Sequence, residues 1–133
     1  MLVVAGTNAT DAVDGVQVAG VLEPDAFRAL LRSARVFLAA PRREDYGVAA
    51  LEALASGCLL VTTPSPGPYP ALRLARQLDP RLVDHDIARA LRTALDDPLP
   101  DYAERAAELL EPFSRRAVDQ IVAERVLPRL LSS

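Results

Sequence analysis

The sequence predicts an α/β fold in which a parallel sheet is covered by helices. Up to residue 62, short β-branched apolar runs alternate with helix-periodic segments, the pattern of strand–helix–strand units. A length of 133 residues is that of one domain. With 50% hydrophobic and 25% charged residues the chain can build a core, and its composition is not that of a disordered chain.

The elements follow in order. Leu2–Ala5 is an apolar β-type run closed by Gly6 and the polar stretch Thr7–Gly15. Val16–Val21 is a second, interrupted by Gly20. Pro24 suits a first helical turn, and Ala26, Phe27, Leu30, Leu31 and Ala34 fall on one helical stripe behind it. Val36–Ala39 reads as a buried strand ending before Pro41, and Val48–Ser56 as an Ala/Leu-rich helix stopped by Gly57. Leu59–Thr62 is the next strand. Pro64–Pro70 holds four prolines in seven residues and predicts an ordered, extended loop. Beyond it the chain is mainly helical. Asp84 or Asp86 caps a helix over about 86–96, Asp101 opens one over about 102–111, and Ser114 caps a last helix from Arg115 to about Leu131. Pro128 is expected to kink or end that helix. The chain thus reads as a single domain over 1–133 with a helical carboxyl-terminal segment over about 101–131.

Composition removes several function classes. All fifteen basic residues are arginine, so a Walker-type phosphate loop and Schiff-base lysine chemistry are excluded. One cysteine and one histidine leave no internal disulfide, no multi-Cys zinc site and no paired-His metal site. A net charge of -3 and a pI near 5.1 argue against general nucleic-acid binding. No stretch reads as a signal peptide or membrane span, and the unpaired Cys58 fits a cytoplasmic location. Cys58 itself reads as a small buried apolar residue, and His85, between Asp84 and Asp86, as a helix-start surface residue. The Asn8-Ala9-Thr10 sequon is read as chance.

Chemistry concentrates in Arg42-Arg-Glu-Asp-Tyr-Gly-Val-Ala-Ala-Leu-Glu-Ala-Leu-Ala-Ser-Gly57. Glu44 falls in the loop after a strand and Glu52 within the following helix. At the junction Gly47 allows a close backbone approach, and the amides of Gly47 and Val48 are among the open donors of a helix start, a ready anion site. Eight residues at helical rise span about 12 Å. Two carboxylates, good acceptors for neighbouring hydroxyls, thus flank an anion site at the carboxyl end of a strand. That pattern suits a diphosphate with a hydroxyl-rich group at each end. Arg42 and Arg43 are either solvated loop residues or phosphate contacts. Tyr46 either packs beside the helix start or stacks on a sugar.

Glu44-x7-Glu52, embedded in E-D-Y-G-V-A-A-L-E-A-L-A-S-G, resembles the signature of retaining GT-B-type glycosyltransferases, especially the family-4 group (glycosyl transferases group 1). Leu2–Gly6, Val18-Ala-Gly20-Val and Arg35-Val-Phe-Leu before the motif, and Leu59-Leu-Val-Thr-Thr and Phe113-Ser114 after it, keep the order of that family, so the resemblance covers essentially the whole chain. It implies a Rossmann-like parallel sheet with flanking helices, the carboxyl-terminal, donor-binding half of a GT-B fold. It implies transfer, with retention, of a sugar from a nucleotide-diphosphate sugar. By the same resemblance Glu44 is the catalytic residue facing the transferred sugar and Glu52 holds the donor ribose. Gly47 and Val48 meet the diphosphate, with Tyr46 and Arg43 as further donor contacts. No metal and no cofactor besides the donor substrate are expected.

The pattern departs from that family in three places. The first strand and helix, with the Arg and Lys that clamp the diphosphate, are not in the sequence, and neither is the acceptor-binding half. Leu2–Ala5 and Val36–Ala39 are therefore each expected to lack a neighbour. The Gly-Gly loop common in relatives is here Pro64–Pro70. The expected partners are a nucleotide-sugar donor and an acceptor-binding domain or separate chain, with homo-oligomerisation through open strand edges. No nucleic acid is expected. The chain alone is expected to bind donor weakly or not at all, and not to turn over. The complete enzyme is expected in the cytoplasm, at the periphery of the inner membrane. Two alternatives stay open: a non-catalytic interaction module of the same fold, and a nucleotide-sugar epimerase-like protein of the same type.

Overall fold

The computed structural model describes residues 1–8 and 13–132; Ala9 and Thr10 of the sequon lie outside them. The fold is α/β with parallel pairing throughout, as the alternating pattern predicts. In order it runs β1 (Leu2–Ala5), β2 (Val16–Gly20), α1 (Pro24–Ser33), β3 (Val36–Ala39), α2 (Val48–Ala55), β4 (Leu59–Thr62), α3 (Pro70–Leu78), α4 (Ile87–Asp96) and α5 (Tyr102–Leu109). The chain closes with α6 (Arg115–Ile121), a π-helical turn (Val122–Val126) and α7 (Leu127–Leu131).

Among the described residues the four strands form two sheets, not one. β1 pairs with β2 and β3 with β4, each in parallel, with Leu2 opposite Val16 and Val36 opposite Leu59. Leu2–Ala5 and Val36–Ala39 are thus not paired with each other, and each has one strand partner among the described residues. The pairs also differ in depth. All four residues of β4 are buried, whereas no residue of β1 or β2 is. A continuous apolar run such as Leu59-Leu-Val is what a strand covered on both faces requires.

The main core lies where β4 meets α2, α3, α4 and α5. Leu54, Leu60, Leu78, Leu82, Ala90 and Tyr102 are each at most 2% exposed within it. On the outer side of β4, Thr62 bridges in parallel to Val83, and the Asp84 amide donates to the Thr62 carbonyl (3.0 Å). The Leu60 amide donates to the Tyr102 hydroxyl (3.2 Å), so a side chain supplies the acceptor a further strand would have offered. Burial pushes the Tyr102 phenol up to about 12. A smaller cluster of Leu31, Ala53 and Cys58, with Phe27 and Phe37 against it, fastens α1 to α2. Cys58 is fully buried there, and its thiol donates to the Leu31 carbonyl (3.2 Å).

Local chemistry explains the ends. Asp86 and Ser114 cap α4 and α6 as expected, accepting from the amides of Arg89 and Ala117. Asp101 occupies the cap position of α5 without a side-chain hydrogen bond there. The last helix is interrupted by the π-helical turn, and Pro128 falls in the first turn of α7, where its missing N–H leaves no helical hydrogen bond unmade. Asp79, 2% exposed, is held by the Arg81 side chain through two contacts of 2.9 and 2.8 Å. Burial works to raise its pKa, but the Arg81 hydrogen bonds and the Arg81 and Arg105 charges together bring it below the ordinary value. Among the described residues no helix is long and apolar enough to cross a membrane.

Candidate functional site

The loop from Pro41 to Gly47 carries the chain from the end of β3 into α2 and is tied to the proline-rich loop beyond β4. The Glu44 amide donates to the Pro66 carbonyl (3.2 Å). Gly67, at φ +112°, comes so near that a Cβ there would lie 3.0 Å from the Glu44 carbonyl carbon and closer still to its oxygen. Gly47, at φ +76°, starts α2 from the left-handed region, and its carbonyl accepts from the amides of Ala50 and Leu51. Under Gly47 lies the ring of Tyr69. A Cβ on Gly47 would lie 2.8 Å from Tyr69 Cδ2 and closer to Cε2. Tyr69 is 3% exposed, its hydroxyl 3.3 Å from Thr62 Oγ1. Burial first, and the Glu44 charge in addition, raise its pKa, against the lowering effect of that hydrogen bond.

Glu44 turns back on its own loop. Its Oε1 accepts from the amides of Asp45 (3.0 Å) and Tyr46 (3.2 Å), which fixes the carboxylate and leaves Oε2 without a partner among the described residues. Glu52 is half-buried on α2; its carbonyl accepts from the Ser56 amide and hydroxyl, while its carboxylate makes no hydrogen bond or ion pair among the described residues. It lies in the wall of an open groove of about 640 Å³. Tyr46, Val48 and Leu51 line one side of the groove, and Leu110 and Phe113 the other. A carboxylate without a partner among apolar walls is an acceptor held ready for hydroxyl donors.

The structure thus places Tyr46, Val48 and Glu52 on one groove, with Gly47 at its edge as the helix start. Glu44 is not part of that wall. Arg43 is exposed, and its Nε donates to Asp45 Oδ1 (3.2 Å). Tyr46 is 52% exposed, so the packing reading of this residue is corrected: Tyr69, not Tyr46, fills the space beneath the helix start. Nothing in the local sequence pattern singles out Tyr69 or Gly67. The signal available was one aromatic and one glycine within a run of prolines. Among the described residues no group of three or more His, Cys, Asp or Glu side chains is placed to hold a metal ion.

No curated protein and no solved structure matches the chain. The family model of glycosyl transferases group 1 does, over residues 2–101, which takes in both sheets, the Glu44–Glu52 segment and the proline-rich loop. From that match over most of its length, the chain belongs to the glycosyl transferases group 1 family.

Proposed function

We propose that the chain binds the donor in a glycosyltransferase that moves a sugar from a nucleotide-diphosphate sugar with retention. Membership of the family supports glycosyl transfer in general. The observation that carries the finer reading is Glu52 on α2, half-buried in the groove wall, its carboxylate without a partner among the described residues. In this reading its carboxylate accepts from the ribose hydroxyls, while Tyr46 and Val48 cover the apolar face of the nucleoside. The open amides at Gly47 and Val48 take the diphosphate and stabilise the charge that develops on it as the sugar leaves. Glu44, oriented by the Asp45 and Tyr46 amides, presents Oε2 to the transferred sugar. Arg43 contributes from the rim once it leaves Asp45.

Titration with a panel of nucleotide-diphosphate sugars, by calorimetry or by amide chemical shifts where binding is weak, tests the assignment. Glu52→Ala is expected to weaken binding about tenfold or more, the loss of charge-assisted hydrogen bonds to two hydroxyls. Arg42→Ala is expected to weaken it less. Unchanged affinity in Glu52→Ala would refute the donor assignment.

One observation favours a second reading, a non-catalytic module that pairs with another chain. The sheet is split in two, and neither β1 nor β2 has a buried residue. Unpaired edges recruit strands. A stable oligomer in a solution mass measurement, with no nucleotide-sugar binding, would favour this reading. A monomer that binds a nucleotide sugar would dismiss it.

A further inference from the structure

A second cavity, of about 310 Å³, opens at the carboxyl ends of β3 and β4 and shares no wall residue with the groove that holds Glu52. Its polar wall is made of Arg42, Thr63, Ser65 and His85. The rest is largely proline, which offers no N–H to satisfy a neighbour. Ser65 is 7% exposed, and its Oγ is buried with no hydrogen-bond partner. A buried hydroxyl left unpaired calls for an explanation, and an unfilled ligand position is one. The Arg42 guanidinium likewise has no ion pair or hydrogen bond among the described residues.

None of the acids near in sequence lines the cavity. Glu44 accepts from its own loop, Asp84 pairs with Arg89, and Asp86 caps α4. Thr63 is also committed, its Oγ1 donating to the Pro41 carbonyl (3.0 Å), which ties the two loops at the floor. What faces the cavity is therefore a set of donors without a carboxylate: a guanidinium fork, an imidazole and a free hydroxyl. Such a set selects an oxyanion, and a guanidinium fork matches phosphate geometry in particular. The carboxyl ends of parallel strands are where open α/β sheets place their ligands.

We propose that this cavity is a phosphate-binding site, separate from the donor groove, for a phosphate group that is free or carried on a small molecule. Its volume is at the lower end of ligand pockets, roughly 300–1,000 Å³, which leaves room for a small body beside the phosphate. The site does not rest on the donor reading.

Amide and arginine side-chain spectra of the full chain are recorded while inorganic phosphate, and separately glycerol phosphate, is added at constant ionic strength. Saturable shifts are expected at Thr63, Ser65 and the Arg42 Nε–H. Tighter binding of glycerol phosphate assigns the site to a phosphomonoester, and equal binding to free phosphate; both support it. Arg42→Ala is expected to weaken binding about tenfold, the loss of a bidentate charged contact. Ser65→Ala is expected to weaken it by a smaller factor while leaving the unliganded chain at least as stable, because the substitution removes an unpaired hydroxyl. Shifts that never saturate, that spread over exposed arginines generally, or that survive Arg42→Ala would overturn the proposal. So would shifts confined to Gly47 and Val48, which would place the anion at the helix start instead.

Discussion

Substitution of Gly47 by alanine tests the geometry of the loop that enters α2. Two costs add. A non-glycine residue in the left-handed region loses about 1–2 kcal/mol. In addition, the new Cβ falls within 2.8 Å of Tyr69 Cδ2 and nearer to Cε2. The ring cannot easily swing aside, being 3% exposed and held at its hydroxyl by Thr62. Overpacking of this kind costs about 1–3 kcal/mol. The sum, about 2–5 kcal/mol, corresponds to a fall of roughly 8–20 °C in Tm for a chain of this size. Urea unfolding followed by circular dichroism measures it. The two costs separate in a double-mutant cycle, because Tyr69→Leu removes the ring edge and leaves only the backbone cost of Gly47→Ala, about 1–2 kcal/mol. A Gly47→Ala protein within about 0.5 kcal/mol of the parent would refute the reasoning. An equal cost in both backgrounds would show that the ring is not what Gly47 accommodates.

Other expectations follow from single contacts. Tyr102→Phe strands the buried Leu60 amide without its acceptor and should cost about 1–3 kcal/mol in chemical unfolding. Asp79→Ala should cost about 3 kcal/mol, the lower part of the range for a broken buried pair, since Arg81 is 42% exposed and can rehydrate. Because the Asp79 carboxyl is held below its ordinary 3.8 in the folded chain, its stabilisation is complete above that value and fades as pH falls through the folded pKa. Unfolding measured at neutral and at strongly acidic pH should therefore show the Asp79→Ala difference shrinking on the acid side. Cys58, fully buried and with its thiol pKa raised by burial, should react with a thiol reagent only on unfolding; rapid labelling of the native chain would contradict its placement.

The elements that could be read from the sequence are those with one dominant local signal. The apolar run of β4, the proline entry to α1, Gly57 after α2 and the Ser114 cap all act within a few residues, and all stand where expected. α3 does not stand out from the mainly helical stretch in the sequence, because Pro70 closes a proline run and also serves as a first helical residue. The site was partly legible. The spacing of Glu44 and Glu52 brought out the segment, and Glu52 does reach a groove. The inward turn of Glu44 was not legible, since it depends on where the Asp45 and Tyr46 amides point. The close approach of Gly67 and Tyr69 to this loop is a contact over some twenty residues, on which local pattern is silent.

The uneven depth of the two strand pairs bears on what a melting curve can reveal. The buried side chains that make unfolding cooperative belong to α1, β4 and the segments after β3, and β1 and β2 contribute none. A midpoint followed by core probes such as Tyr102 or Tyr69 therefore reports on the later part of the chain. The ladder between Leu2 and Gly20 can open beneath the notice of such a probe, and its amides should exchange with solvent well before the rest. Thermal-shift screening would for that reason register ligands of the groove and the second cavity while overlooking a partner that engages only the amino-terminal strands.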